Sequence, residues 1–393
     1  MREGHKRLTI GELCEFVNGN GFRPPDWKPS GLPIIRIQNL NGSRTFNYFD
    51  GTPKAKWIVE PGDLLFAWAG VKGVSFGPTI WSGPRGVLNQ HIFRVVPGSI
   101  VDYYWLYLAL QETTRRIEAN AHGFKSSLVH VHKDDITGQV VVVPPLPEQR
   151  KIAAILRTWD EAIETLSTLR KAKERRFVGL RQHLFGGRGG YTGHWGYRPL
   201  SEITTRVRRK NDGGDHPVMT ISAKSGFLMQ SDKFARDMAG SSAERYTLLR
   251  QGEFAYNKGN SLTAPYGCIY ELDRPTAVVP FVYYSFALNT GLDRMFYKHL
   301  FSGGILNHQL SRVINSGVRN DGLLNLDVED FFGCKVPVPP IDEQREIGRI
   351  LTTAKTELDL LDREIAALTR QKRGLMQKLL TGEWAVKLEG VAA

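Results

Sequence analysis

A chain of 393 residues exceeds what one hydrophobic core normally serves and has material for two to four units. Its formal net charge of +12 points to polyanions as large partners, a trait shared by ribosomal, nucleic-acid and membrane-surface proteins. Three widely spaced cysteines, Cys14, Cys268 and Cys334, argue against a disulfide framework or a C-x-x-C zinc site and for a reducing cytoplasm, and the lack of any apolar h-region or long apolar run argues against a signal peptide or membrane span.

In chain order, residues 1–143 carry short Val/Ile/Phe/Tyr runs broken by Gly and Pro, which predicts strands and turns. Within them Gly73, Ser75 and Gly77 spell G-x-S-x-G, the pattern of a nucleophile elbow. The later position aligned with Ser75 is Pro265 while Gly77 keeps its partner Gly267, so a structural turn fits better than an esterase site. His130 and His132 fall on one face of a strand-like run, two ligands without a third at a clear spacing.

From about residue 147 to 185, Ile152, Leu156, Trp159, Ile163, Leu166, Phe177, Leu180 and Leu184 recur at alternating steps of four and three, a coiled-coil seam interrupted by Arg170 and Lys173. Pro147 suits the first turn of this helix and Gly186 with Gly187 its end. The following GGRGGYTG reads as a linker; the F-x-G-x-G formed by Phe185, Gly187 and Gly189 follows a helix, not a strand, and so does not suit a methyl-donor turn. Residues from about 197 to 338 return to strands and turns. A second helix then carries Ile347, Leu351, Ala354, Leu358, Leu361, Ile365, Leu368, Leu375 and Leu379, with Lys372 as the polar intruder, Asp342 at its cap and Gly382 at its end.

The two helices open on one sentence written twice, PPLPEQRKIAAIL at 144–156 and PPIDEQREIGRIL at 339–351, 195 residues apart with eight of thirteen positions identical. The chain is therefore an internal duplication. Landmarks extend it into the preceding domains: Glu12-Leu13 with Glu202-Ile203, Gly62-Asp63 with Gly252-Glu253, Gly77 with Gly267, Asp135 with Asp330 and Gly138 with Gly333. Each helix finds its natural partner in its own duplicate, and an approximate two-fold predicts an antiparallel pair, each member roughly 58 Å long. The expected fold is α/β (α+β), two pseudo-symmetric globular domains joined by two long antiparallel helices. The expected segments are 1–144 (first domain), 145–187 (first helix), 188–338 (linker and second domain) and 339–393 (second helix and tail).

A variable domain, a constant helix, a second variable domain and a second constant helix, with P-P-x-x-E-Q-R opening each helix, resembles the specificity subunit of a Type I restriction-modification enzyme over the whole chain. The resemblance implies that each variable domain is a target recognition domain reading one half of a bipartite sequence in double-stranded DNA. The helices would set the unread gap and bind two methyltransferase subunits, to which motor-nuclease subunits attach. The implied complex methylates adenine at N6 with S-adenosylmethionine and restricts unmodified DNA with ATP and Mg; this chain itself would hold no cofactor or metal and catalyse nothing. In keeping with that, the sequence has no phosphate loop, and its Pro-Pro pairs follow Arg23, Val143 and Val338 where a catalytic adenine-gripping box has Asp, Asn or Ser. The competing readings are a basic protein-protein adaptor without sequence preference and a self-contained DNA-modifying enzyme.

On the DNA-reading view, base and phosphate contacts come from polar and basic loop residues. In the first domain these are Arg36, Gln38, Asn39 and Arg44; Lys72; Asn89, Gln90 and His91; and Lys125, Ser126 and Ser127. In the second they are Arg206, Arg208, Arg209 and Lys210; Asn257, Lys258, Asn260 and Ser261; Asn307, His308, Gln309 and Arg312, which echo the Asn89–His91 chemistry; and Arg319 with Asn320. The stretch Arg170–Arg181, six positive charges against one negative, is a candidate for the backbone over the gap.

Overall fold

The computed structural model describes residues 2–120, 128–186, 195–233, 244–259, 264–314 and 323–388. It divides into two compact units, Met1–Ser167 with Arg363–Ala393, and Thr168–Asp362, so each unit owns one domain and a segment of both long helices.

The centre of the first unit is a four-stranded antiparallel sheet in the order Cys14–Asn18, Ile92–Pro97, Leu64–Ala67, Gly77–Ile80. Leu64–Ala67 is apolar at every position and buried at every position, as a central strand covered on both faces must be. One face packs Phe16, Phe66 and Phe93 with Trp105, Leu106 and Leu110 of the helix Tyr103–Asn120. The other meets a layer built on Leu32–Ile35 and Gly86–Leu88, whose Ile35 and Leu88 share a cluster with Leu65, Ala67 and Trp81. Lys6–Thr9 pairs with Val140–Val143 and closes the unit.

The second unit repeats the frame with other side chains. Its sheet runs Thr204–Arg206, Tyr284–Leu288, Phe254–Asn257, Cys268–Glu271, the helix Arg294–Ser302 packs on it, and Gly196–Pro199 pairs with Lys335–Val338. Phe254 and Phe286 stack at 5.6 Å within its core. The paired glycines have a physical reason: Gly62, Gly77, Gly252 and Gly267 all have positive φ, and a Cβ on Gly77 would lie 2.8 Å from the Thr114 side chain.

The long helices span Leu146–Phe185 and Ile341–Leu380, 40 residues each. Pro147 lies in the first turn of one; Asp342 lies inside the first turn of the other, not at the cap, because the helix begins at Ile341. In the first unit Ile152 and Leu156 share a core with Met376, Leu379 and Leu380, and Leu375 packs against it. In the second, Leu184, Ile347 and Leu351 share a core against which Phe177 and Leu180 pack. Early residues of one helix meet late residues of the other, so the segments within each unit are antiparallel. The outer seam positions thus serve the domain cores as well as the helix pair. Leu358 is buried, whereas Trp159, Ile163, Leu166, Leu361, Ile365 and Leu368 are half-buried along the middle. The polar intruders in the seam each find an acid on the other helix: Lys372 with Asp160, Arg170 with Asp362 at 3.0 Å, and Lys173 with Glu357 at 2.7 Å.

Candidate nucleic-acid interface

The repeated box joins each helix to its domain. Gln149 is 1% exposed; its Oε1 accepts from the Asp102 N–H at 2.8 Å and its Nε2 donates to the carbonyls of Pro144 at 2.8 Å and Ile100 at 3.2 Å. Gln344, equally buried, accepts from the Asp293 N–H at 2.9 Å and donates to the Pro339 carbonyl at 2.7 Å. Asp102 and Asp293 in turn accept from the first-turn amides of Tyr103–Asn120 and Arg294–Ser302, so one glutamine couples two helices in each unit. The box glutamates add a second tie: Glu148 lies 3.5 Å from His5, and Glu343 accepts from the Trp195 indole at 2.9 Å. The sequence reading missed these roles, although Gln149 and Gln344 are in step with Ile152-Leu156 and Ile347-Leu351, which put them on the buried face.

Loop residues divide into those that build a loop and those that project from it. Arg36 lies over the Trp27 ring at 4.9 Å and donates to Asn47 at 2.5 Å, and the buried Asn39 accepts from the Arg36 N–H and donates to the carbonyls of Ser43 and Thr45. Gln38 and Arg44, beside them in sequence, are exposed. Lys72 donates to the Glu118 carbonyl at 2.8 Å while the Glu118 carboxylate accepts from the Gly73 N–H, anchoring the turn to a helix end. Ser75 Oγ accepts from the Val71 N–H at 2.7 Å and closes that turn. Asn89 accepts from the Gln90 N–H; Gln90 is exposed, with Nε2 3.2 Å from His91 Nε2. Lys125, Ser126 and Ser127 lie outside the described residues.

In the second unit Arg206, Arg208 and Lys210 are exposed, whereas Arg209 donates to Glu253 at 2.6 Å and supports the turn before the central strand. Asn257 donates to the Ile221 carbonyl and accepts from the Gly259 N–H, a loop-building role like that of Asn39. Lys258 Nζ lies over the Tyr284 ring at 5.1 Å. Asn260, Ser261, Arg319 and Asn320 lie outside the described residues. Asn307, His308 and Arg312 are exposed on the short helix Asn307–Val313, His308 and Arg312 being 2.7 Å apart. Gln309 instead holds both the N–H and the carbonyl of Lys335 at 2.7 Å. This helix follows Arg294–Ser302, whereas Asn89–His91 leads into the strand Ile92–Pro97, so the two groups are not positional equivalents.

Along Arg170–Arg181, Arg170 and Lys173 are held by acids of the second helix, and Arg181 lies near the Phe177 ring and donates to the Ser302 carbonyl. The pairing with Asp362 raises the Arg170 pKa, whereas burial lowers that of Arg181. Lys171, Arg175 and Arg176 are the members of the run that stay exposed. Among the described residues no group of three or more His, Cys, Asp or Glu is placed to hold a metal ion, and no helix is long and apolar enough to cross a membrane.

Two copies of one frame, clamped to helix segments by the same glutamine and faced with different polar loops, define a duplicated recognition scaffold. Residues 3–174 match the family model described as the Type I restriction modification DNA specificity domain. The chain is 28% identical over 156 residues to the Type I restriction enzyme EcoBI specificity subunit of Escherichia coli, a match covering 39% of this chain and 31% of that protein. It is 21% identical over 411 residues to the MjaVIII specificity subunit of Methanocaldococcus jannaschii, covering 97% of this chain and 93% of the relative. In fold it is similar to the crystal structure of a Type-I restriction-modification S subunit from M. genitalium, with a TM-score of 0.57, 17% identity and 96% of each chain covered. The chain is thus similar to Type I restriction-modification specificity subunits, through the family model over residues 3–174 and through the archaeal relative over nearly its whole length.

Proposed function

We propose that this chain is the sequence-reading, non-catalytic subunit of a cytoplasmic Type I restriction-modification complex. Each unit reads one half of a bipartite target in double-stranded DNA, and the long helices set the unread gap and carry two methyltransferase subunits. Motor-nuclease subunits join that assembly. The partners supply the chemistry, N6-adenine methylation from S-adenosylmethionine and ATP- and Mg-dependent restriction. The observation that carries this reading is the pairing of one strand order in the two central sheets with different exposed polar side chains around them: Gln38, Arg44 and Gln90 in one half, Arg206, Arg208 and Lys210 in the other. A frame held fixed while its exposed loops change is what two readings of two sequences require.

The test is long-read detection of N6-methyladenine in a host with and without this gene, its methyltransferase being expressed. Loss of one bipartite motif on deletion is expected. An unchanged methylome beside an active methyltransferase would refute the reading and favour an adaptor. Purified complex should also lose affinity for unrelated DNA with salt, by roughly 0.9 log units per log unit of salt for each phosphate neutralised.

A further inference from the structure

The strand registers match the two sheets residue by residue. Leu64 faces Val95 in one and Phe254 faces Phe286 in the other, which places Trp68 and Lys258 at the same position, one residue beyond the central strand. In both, the main-chain carbonyl accepts from a later segment of the same unit: that of Trp68 from the Val131 N–H at 3.2 Å, and that of Lys258 from the Leu324 N–H at 2.8 Å. Both side chains lie against the ring at the matched place in the next strand, Trp68 6.1 Å from Phe93 and Lys258 Nζ 5.1 Å from Tyr284. The next strand over repeats the contrast, since Phe16 faces Val95 where Arg206 faces Phe286.

The result is one locus with two chemistries. In the first unit Trp68, Phe93 and Phe16 form a run of rings, and imidazoles flank the half-exposed indole, His91 at 5.0 Å and His130 edge-on at 4.8 Å. In the second, Tyr284 and Phe332, 6.5 Å apart, are bracketed by cations, Lys258 on one and the exposed Arg206 on the other at 5.3 Å. At the half-exposed position an indole stands where the other half has an ammonium, and in the neighbouring strand the core residue Phe16 stands where the other half has the exposed Arg206. Apolar rings suit the methyl of thymine in the major groove, while Lys and Arg suit the paired acceptors N7 and O6 of guanine.

We propose that this matched locus is a specificity-determining position in both halves: Lys258 with Arg206 selects a G·C pair in one half-site, and Trp68 with its flanking imidazoles selects a T·A pair in the other. The proposal rests on the DNA-reading function proposed above and assigns residues to it. The experiment gives the chain, assembled with its methyltransferase, a plasmid library randomised in both half-sites, and reads N6-methyladenine by sequencing. Lys258→Met and Arg206→Met are each expected to weaken guanine preference at one position of one half-site about tenfold, sparing the other half-site and the gap. Lys258→Arg should retain that preference, and Trp68→Ala should relax a T·A position in the opposite half-site while Trp68→Phe preserves it. Variants that keep wild-type preferences, or that lower methylation uniformly at every sequence, would overturn the assignment while the wild-type motif still stands. A wild-type complex with no sequence preference would instead remove the DNA-reading function on which the assignment rests.

Discussion

Replacing Gln149 by alanine is expected to destabilise the first unit by about 2 to 6 kcal/mol. The side chain is 1% exposed and serves the Asp102 N–H and the Pro144 carbonyl at 2.8 Å each. Truncation leaves both backbone groups buried without a partner, at about 1–3 kcal/mol apiece. For a unit of this size, a loss of about 3 kcal/mol lowers the melting temperature by about 6–12 °C. Gln149→Glu should be worse at neutral pH, because a carboxylate oxygen would replace the N–H facing the Pro144 carbonyl, and its deficit should shrink as acid protonates it. The assay is thermal melting combined with hydrogen exchange resolved by segment. Gln149→Ala should accelerate exchange around 100–105 and 144–152, and Gln344→Ala around 291–297 and 339–347. Changes below about 0.5 kcal/mol in both variants would refute the claim that the repeated box is a clamp.

Lys372→Met strands Asp160, which also accepts from the Tyr104 hydroxyl at 2.8 Å, and should cost about 1–3 kcal/mol; a double-mutant cycle with Asp160→Leu that showed no coupling would contradict the pairing. His299, buried and 3.0 Å from the Thr352 hydroxyl, has its pKa lowered to about 4, by burial first and then by Lys298, Arg181 and Lys355. The unfolded chain takes up this proton near pH 6.5 and the folded one only near 4, so His299 should make stability fall by about 3 kcal/mol as pH drops through that window, and His299→Gln should flatten the slope of denaturant-derived stability against pH. Gly77→Ala meets both a φ of +117° and the Thr114 side chain at 2.8 Å, whereas Gly62→Ala meets a φ of +95° in open space. The first should therefore cost about 2–4 kcal/mol and the second about 1 kcal/mol, and equal losses in urea titrations would show that the Thr114 contact yields freely.

The sequence made the frame legible because the frame depends on periodicity and on glycine. The seam steps predict helices that begin and end within a residue or two of Leu146–Phe185 and Ile341–Leu380, and the pairs Gly62/Gly252 and Gly77/Gly267, unlike Gly138/Gly333, mark turns that need positive φ. The strand order was not legible, because short apolar runs do not name their neighbours. Nor was the division of labour within loops. Gln38 and Asn39 are adjacent and chemically alike, yet one is exposed and the other buried with two carbonyls to serve, a difference set by a turn that closes only in three dimensions. Gln309 and Asn257 look like base readers for the same reason and prove to hold backbone.

What the duplication preserved and what it released then follow from one distinction. The box glutamine acts through its side chain on backbone groups that cannot be satisfied otherwise, so its substitution is penalised in either half. At Trp68 and Lys258 a main-chain carbonyl, which any residue supplies, ties the position to the frame, while the side chains make different contacts, the Trp68 indole donating to the Gln90 carbonyl at 3.0 Å and the Lys258 ammonium to the Tyr284 hydroxyl at 3.4 Å. On the proposed assignment, recognition chemistry belongs at positions tied to the frame by backbone, and the clamp belongs where a side chain carries it. On that argument Lys258→Met should leave the melting temperature of the second unit within about 2–4 °C of wild type, a loss of no more than about 1 kcal/mol, while Gln344→Ala lowers it by several times as much. A Lys258→Met variant as unstable as Gln344→Ala would show that the ammonium on Tyr284 holds the fold, and the separation of frame from reading surface would fail at the position where it is most sharply drawn.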